Sequence, residues 1–206
     1  MTAAQKTTRL VQLALLMAIE IVLAFTPMGF IPLGAINATT IHIPVIIGGI
    51  LLGPAAGALL GGVFGVCSVI NNTVKPTITS FVFSPFYTAG GISGGWRSLV
   101  IALLPRILIG VVAAYTYRLV ARYNKNAGCI AAGLAGSLTN TVLVLGGIYW
   151  LFGREYAAAK GIDSMQTLFN VLMGVVAANG VPEAVVAAVL TTAITIPLLR
   201  VVHRRS

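Results

Sequence analysis

Six apolar stretches, parted by glycine, proline and a few charged residues, fill most of this chain, and no other feature constrains its fold as much. They run over about 10–25, 41–52, 55–70, 99–117, 130–151 and 166–202. A helix needs about 20 predominantly apolar residues to cross a bilayer, so the short second stretch reaches full depth only with its flanks. Charge is scarce. Only 8% of the 206 residues are charged, against about 25% in a soluble domain, and the mean hydropathy is +0.98. So few charges cannot cover the water-facing surface of a globular fold. The expectation is an all-α membrane protein, a single integral membrane domain over 1–206 built as a six-helix transmembrane bundle. The start lacks the layout of a removable signal peptide, so the first span is expected to be retained.

The net charge of +9 is a topology signal and does not indicate nucleic-acid binding. Lys6, Arg9, Arg118, Arg122, Lys125, Arg200, Arg204 and Arg205 border one side of the six spans; Lys75, Arg97, Arg154 and Lys160 border the other. Basic residues accumulate in cytoplasmic loops, so eight against four places both termini in the cytoplasm. No basic stripe interleaved with aromatics is present. Cys67 and Cys129 fall near opposite faces of the bilayer and are too far apart for a disulfide.

Turn formers mark two long connections. One, 26–40, holds Pro27, Gly29, Pro32 and Gly34. The other, 71–96, holds Pro76, Pro85, Gly90 and Gly91 with several aromatics, and is expected to be an ordered lid or wall. Between spans two and three, Gly53-Pro54 breaks the helix, because proline cannot continue the hydrogen-bond ladder. Small residues recur every four positions at Gly49, Gly53, Gly57, Gly61 and Gly65, a pattern that lets helices approach closely in lipid. Close packing within the chain is the simpler reading of that series. Ala14 and Ala18 form a second such pair, open to internal packing or to docking of another membrane subunit.

Ionisable groups inside spans are costly and mark function by default; here they are Glu20, Arg106 and Glu183. Arg106 lies roughly 13 Å below the outer border at 1.5 Å per residue, and Asn140 and Asn179 reach a comparable depth from two other spans. Two readings stand: a shared pocket, or hydrogen bonds that pin the helices to one another. The guanidinium's forked donors suit a carboxylate. Glu183, one turn deeper than Asn179 on the same face, is the expected structural counter-ion of Arg106. Gly91-Ile92-Ser93-Gly94-Gly95 fits the Gly-x-Ser-x-Gly pattern of hydrolases, but it sits in an outer loop without a histidine–carboxylate pair to serve it. No phosphate-binding Gly-x-x-x-x-Gly-Lys-Ser/Thr stretch, metal-ligand cluster or carboxylate pair is present. No catalytic or metal site is expected, and enzyme activity is disfavoured.

The stretches FTPMGFIPLGAINATTIHIPVIIGGILLGPAAGALLGGVFG (25–65), SFVFSPF (80–86), LLPRILIG (103–110) and NGVPEAVVAAVL (179–190) resemble the substrate-binding S-components of energy-coupling factor (ECF) vitamin transporters, most of all the pantothenate-specific group. The resemblance implies a pocket near the outer surface, closed by the connections 26–40 and 71–96. It implies docking on a transmembrane coupling subunit (the T-component) and two ATPases, with ATP and Mg bound by those partners and no cofactor in this chain. The family's Ala-x-x-x-Ala docking motif falls on Ala14 and Ala18. For pantothenate, the expected contacts are Arg106 with the carboxylate, Asn140 and Asn179 with the amide and hydroxyls, and Phe81 or Phe83 with the dimethyl group. Alternatives are an S-component for riboflavin or folate, a self-sufficient small-solute carrier, or an intramembrane enzyme.

Overall fold

The computed structural model describes residues 3–33, 36–89 and 91–203; Gly34, Gly90, Arg204 and Arg205 lie outside the described residues. The helices are α1 (Ala3–Phe25), α2 (His42–Leu52), α3 (Pro54–Val74), α4 (Trp96–Val120), α5 (Lys125–Lys160), α6 (Met165–Val175) and α7 (Val181–His203). Strands β1 (Phe30–Leu33) and β2 (Ile36–Thr39) form an antiparallel hairpin between α1 and α2. A two-residue ladder, β3 (Thr88–Ala89) with β4 (Ile92–Ser93), precedes α4. Among the described residues, five helical segments are long and apolar enough to cross a membrane: α1, α3, α4, α5, and the run Met165–Arg200 through α6 and α7. With 11 residues, α2 is only ~16 Å long.

The short helix is the axis of the bundle. It packs against α1, α3, α4, α5 and α7 and is buried continuously from His42 to Ile50. A helix apolar on all sides belongs in an interior, and Val45, Ile46, Leu60, Ile109 and Ala132 form the core around it. The outer surface is apolar as well: Leu10, Val11 and Leu15 on α1, Leu59 and Val66 on α3, and Val185 and Val189 on α7 are all exposed. Apolar surface this extensive fits a hydrocarbon surround and not water.

Between α2 and α3 the chain breaks at Gly53, whose φ of +91° is open to glycine and strained for other residues. Pro54 then opens α3, where its missing N–H costs nothing. The carbonyl of Leu52, exposed by the break, accepts a hydrogen bond from Arg9 Nη2. The four-residue glycine series packs within the chain. A Cβ on Gly57 would lie 2.8 Å from the carbonyl oxygen of Gly110, and one on Gly65 would lie 2.7 Å from that of Ala102. Gly49 and Gly61 meet the α4 backbone in the same way. The two backbones touch, as small-residue seams in lipid permit.

Two elements run past their expected ends. α3 continues to Val74, so Asn71 and Asn72 are helical; their side-chain amides donate to the carbonyls of Ala24 and Ser68. The segment after residue 151, beyond the expected end of the fifth stretch, continues α5 to Lys160. Its Ala157–Ala159 run favours helix, and Gly161, at φ +65°, ends it. α5 bends at Phe152, where φ −132° and ψ 15° leave the helical region. Arg97 at the start of α4 clamps this bend. Its Nη1 donates to Leu151 O (2.6 Å) and to Glu155 Oε1 (3.1 Å), and its guanidinium carbon lies 4.5 Å above the Phe152 ring. Cys67 and Cys129 are buried free thiols.

Candidate functional site

One proline shapes the site. Pro182 has no N–H for the carbonyl one helical turn back, and the backbone widens just before it into a π turn, Val176–Gly180. There Val181 N–H bonds to the carbonyl of Val176, five residues back. Such widened turns recur at functional sites. Gly180 lets the turn press against α5: a Cβ there would stand 2.8 Å from Thr141 Cγ2. Between these elements lies an open cleft of about 270 Å³, lined by Asn140, Thr141, Val144 and Leu145 from α5, Val175, Asn179 and Gly180 from the turn and its approach, Glu183 from α7, and Thr39 from the hairpin. That size is at the lower edge of small-molecule pockets.

Its polar groups are set for hydrogen bonding. Asn140 Oδ1 is buried and has no partner among the described residues, an arrangement that is costly unless something donates to it. Glu183 Oε1 accepts the backbone N–H of Thr39 at 2.9 Å, which ties the end of β2 to α7 across the cleft. Among the described residues, Glu183 is the sole ionisable side chain on the wall. Val144, Leu145 and Val175 supply the apolar part of the lining.

The structure thus brings Asn140 and Asn179 together, with Glu183 beside them, and turns Arg106 elsewhere. Arg106 is not on the cleft wall. Its Nη1 donates to the carbonyl of Ile101, and its guanidinium carbon lies 5.7 Å from the Phe64 ring centre and 5.2 Å from that of Phe83. The expected Arg106–Glu183 ion pair is corrected: among the described residues the ion pair is Arg97–Glu155. Pro105 is the cause, since it leaves Ile101 O without a backbone donor and the arginine supplies one. Arg106 Nε has no partner among the described residues.

Phe81 is fully buried. It packs edge-on against Phe152 at 5.7 Å between ring centres and shares a cluster with Ile101, Val144 and Ile148. It stands behind the Val144 wall. Phe83 is half-buried against Arg106. With Ser98 Oγ donating to Phe81 O and Thr73 bonded to Ser84 at 2.6 Å, the connection after α3 is a packed wall. The Gly-x-Ser-x-Gly match belongs to it. Sequence reasoning missed Thr39 and Thr141, which carry no signal by themselves; the Asn-Gly-x-Pro order before Glu183 was the available pointer.

On α1, Ala14 and Ala18 are exposed. They lie in one stripe with exposed Val11, Leu15, Ile19 and Val22, while Leu13, Leu16, Met17 and Leu23 pack on the core.

The family model described as "ECF transporter, substrate-specific component" matches residues 8–195. The chain belongs to this family. The S-component is similar to the pantothenic acid transporter PanT of Lactococcus lactis subsp. cremoris, at 40% identity over 162 residues that cover 77% of this chain and 76% of the relative. It is also similar to the pantothenate transporter PanT of Leuconostoc mesenteroides subsp. mesenteroides, at 30% identity over 212 residues covering 97% and 96%. The matched range of the S-component takes in the cleft, Arg106 and the Ala14/Ala18 stripe.

Proposed function

We propose that this S-component binds pantothenate in the cleft at the π turn and serves as the substrate-binding membrane subunit of an ATP-driven ECF importer. The observation that carries this reading is the lining itself: two side-chain amides and two threonine hydroxyls beside apolar Val144, Leu145 and Val175, in a family of substrate-specific components. Pantothenate offers an amide, two hydroxyls, a dimethyl carbon and a carboxylate. Asn140 and Asn179 suit the amide and hydroxyls, and Val144 and Leu145 suit the dimethyl carbon. Glu183 repels the carboxylate, which orients the molecule with its acid away from α7. Arg106 is the cation assigned to that acid, and because it lies off the cleft wall it must turn from the carbonyl of Ile101 to reach it. The cleft of about 270 Å³ favours this vitamin over riboflavin or folate, whose ring systems want more room and stacking tryptophans. Trp96 and Trp150 are exposed, off the cleft.

In this reading α2 completes a six-span bundle with the hairpin's help, and both termini are cytoplasmic, as the basic-residue asymmetry supports. Ala14 and Ala18 contact a T-component, and two partner ATPases bind ATP and Mg. The test is uptake of labelled pantothenate into proteoliposomes. Accumulation should require the partner subunits and ATP, and unlabelled pantothenate should compete where riboflavin and folate do not. ATP-independent accumulation by this subunit alone, driven by a proton gradient, would show a self-sufficient carrier instead.

A further inference from the structure

We propose that a second cleft, between the start of α5 and the end of α7, binds the phosphate headgroup of an anionic phospholipid. The two helices are antiparallel: Gly133 lies against Ala188, and Gly180 against Thr141. That register brings Lys125 level with Ile196. A cavity of about 220 Å³ opens there, lined by Lys125, Asn126, Ile196, Leu199 and Arg200. Lys125 and Arg200 are exposed, and no hydrogen bond or ion pair engages either side chain among the described residues.

No acidic side chain among the described residues pairs with them. The four acidic residues are Glu20, Glu155, Asp163 and Glu183. Glu20 is buried in α1, and the other three belong to the opposite end of the bundle. The basic end adds Lys6, Arg9, Arg118 and Arg122 without one carboxylate. Of these, Arg9 is spent on Leu52 O, and Arg118 lies beside the Tyr115 ring. No described side chain supplies the counter-charge, and basic clefts between membrane helices at their headgroup border suit anionic lipid.

The apolar half of the lining separates a lipid from a free phosphate ion. Ile196 and Leu199 adjoin the two cations in the same cavity, and Ile130, one turn beyond Asn126 on α5, adds exposed apolar surface. A phosphodiester can sit between Lys125 and Arg200 while its acyl chains follow that surface. Asn126 offers an amide to the glycerol oxygens. This site is independent of the vitamin reading, since it shares no residue with the first cleft.

Lipid retention by the full chain in detergent tests the proposal, using native mass spectrometry with phosphatidylglycerol and phosphatidylcholine. The wild type should hold one phosphatidylglycerol that phosphatidylcholine does not displace. K125Q/R200Q should bind it about 30-fold more weakly, two basic contacts being removed. R122Q, at the same border but off the cleft, should bind it as the wild type does. The proposal is overturned if R122Q loses as much as the double variant, or if phosphatidylcholine competes equally. It is also overturned if millimolar inorganic phosphate displaces the lipid, which would make the site one for the free ion. The double variant should melt at the wild-type temperature, which reports that it has folded whatever the first cleft binds.

Discussion

Arg106 donates to the carbonyl of Ile101, the group that Pro105 leaves without a backbone donor. The adjacent Pro-Arg pair therefore repairs its own helix: the proline opens the ladder and the arginine closes it from the side. A buried carbonyl left unpaired costs roughly 1–3 kcal/mol, so Arg106→Ala should melt at a lower temperature even without vitamin. If Arg106 also meets the vitamin's acid, the same variant should lose the preference for pantothenate over pantothenyl alcohol. Arg106→Lys should recover only part of it, for want of the fork. Thermal melting with and without each ligand separates the two roles; an Arg106→Ala protein that melts normally and still prefers the acid would remove both.

The Thr39–Glu183 bond makes a second, local prediction. A hydrogen bond to a charged acceptor contributes about 1.5–3 kcal/mol. Its loss in Glu183→Ala should speed amide exchange at Thr39 by roughly 10- to 150-fold. Glu183→Gln keeps an acceptor and should speed it less. Hydrogen-exchange mass spectrometry of the segment before α2 reads this directly, and unchanged exchange in Glu183→Ala would mean that the hairpin is held by other contacts.

How much of this was legible beforehand depends on what kind of information each feature needs. The glycine series could be read because packing in lipid rewards small residues at one spacing, and α3 and α4 indeed touch through Gly57 and Gly110. Asn140 and Asn179 could be matched by depth, since rise per residue is fixed. The pairing of Arg106 with Glu183 was misread because hydropathy registers a charge but not which way its side chain turns, and the demand made on it by Pro105 is tertiary in outcome. The overrun of α5 past residue 151 was hidden because charge suggested a loop, while the Ala157–Ala159 run and the Arg97 clamp decided for helix.

The seam between α3 and α4 leaves no room. Gly57→Leu would drive a side chain into the backbone of Gly110. Overpacking typically costs 1–3 kcal/mol and occasionally more, and with backbone on both sides the loss here should be about 3 kcal/mol or more. The variant should express poorly or melt well below wild type in detergent. Gly62→Leu, at a position open to its surroundings, should be tolerated. Equal behaviour of the two would contradict a seam at Gly57.

The exposed α1 stripe predicts a separation of functions. Replacing Ala14 and Ala18 together with Trp should abolish ATP-dependent uptake while vitamin binding by the isolated subunit persists. Loss of binding as well would make the pair part of the chain's own packing.

The most direct measurement is calorimetric titration of pantothenate into the purified subunit and into its Asn140→Leu/Asn179→Leu variant. The wild type should bind one molecule per chain. The variant, with the same melting temperature but without the two amides, should bind at least about 10-fold more weakly, since each unmet polar group of the ligand costs on the order of 1–3 kcal/mol. A wild type that binds no pantothenate, or a folded variant that binds it equally well, would contradict the account.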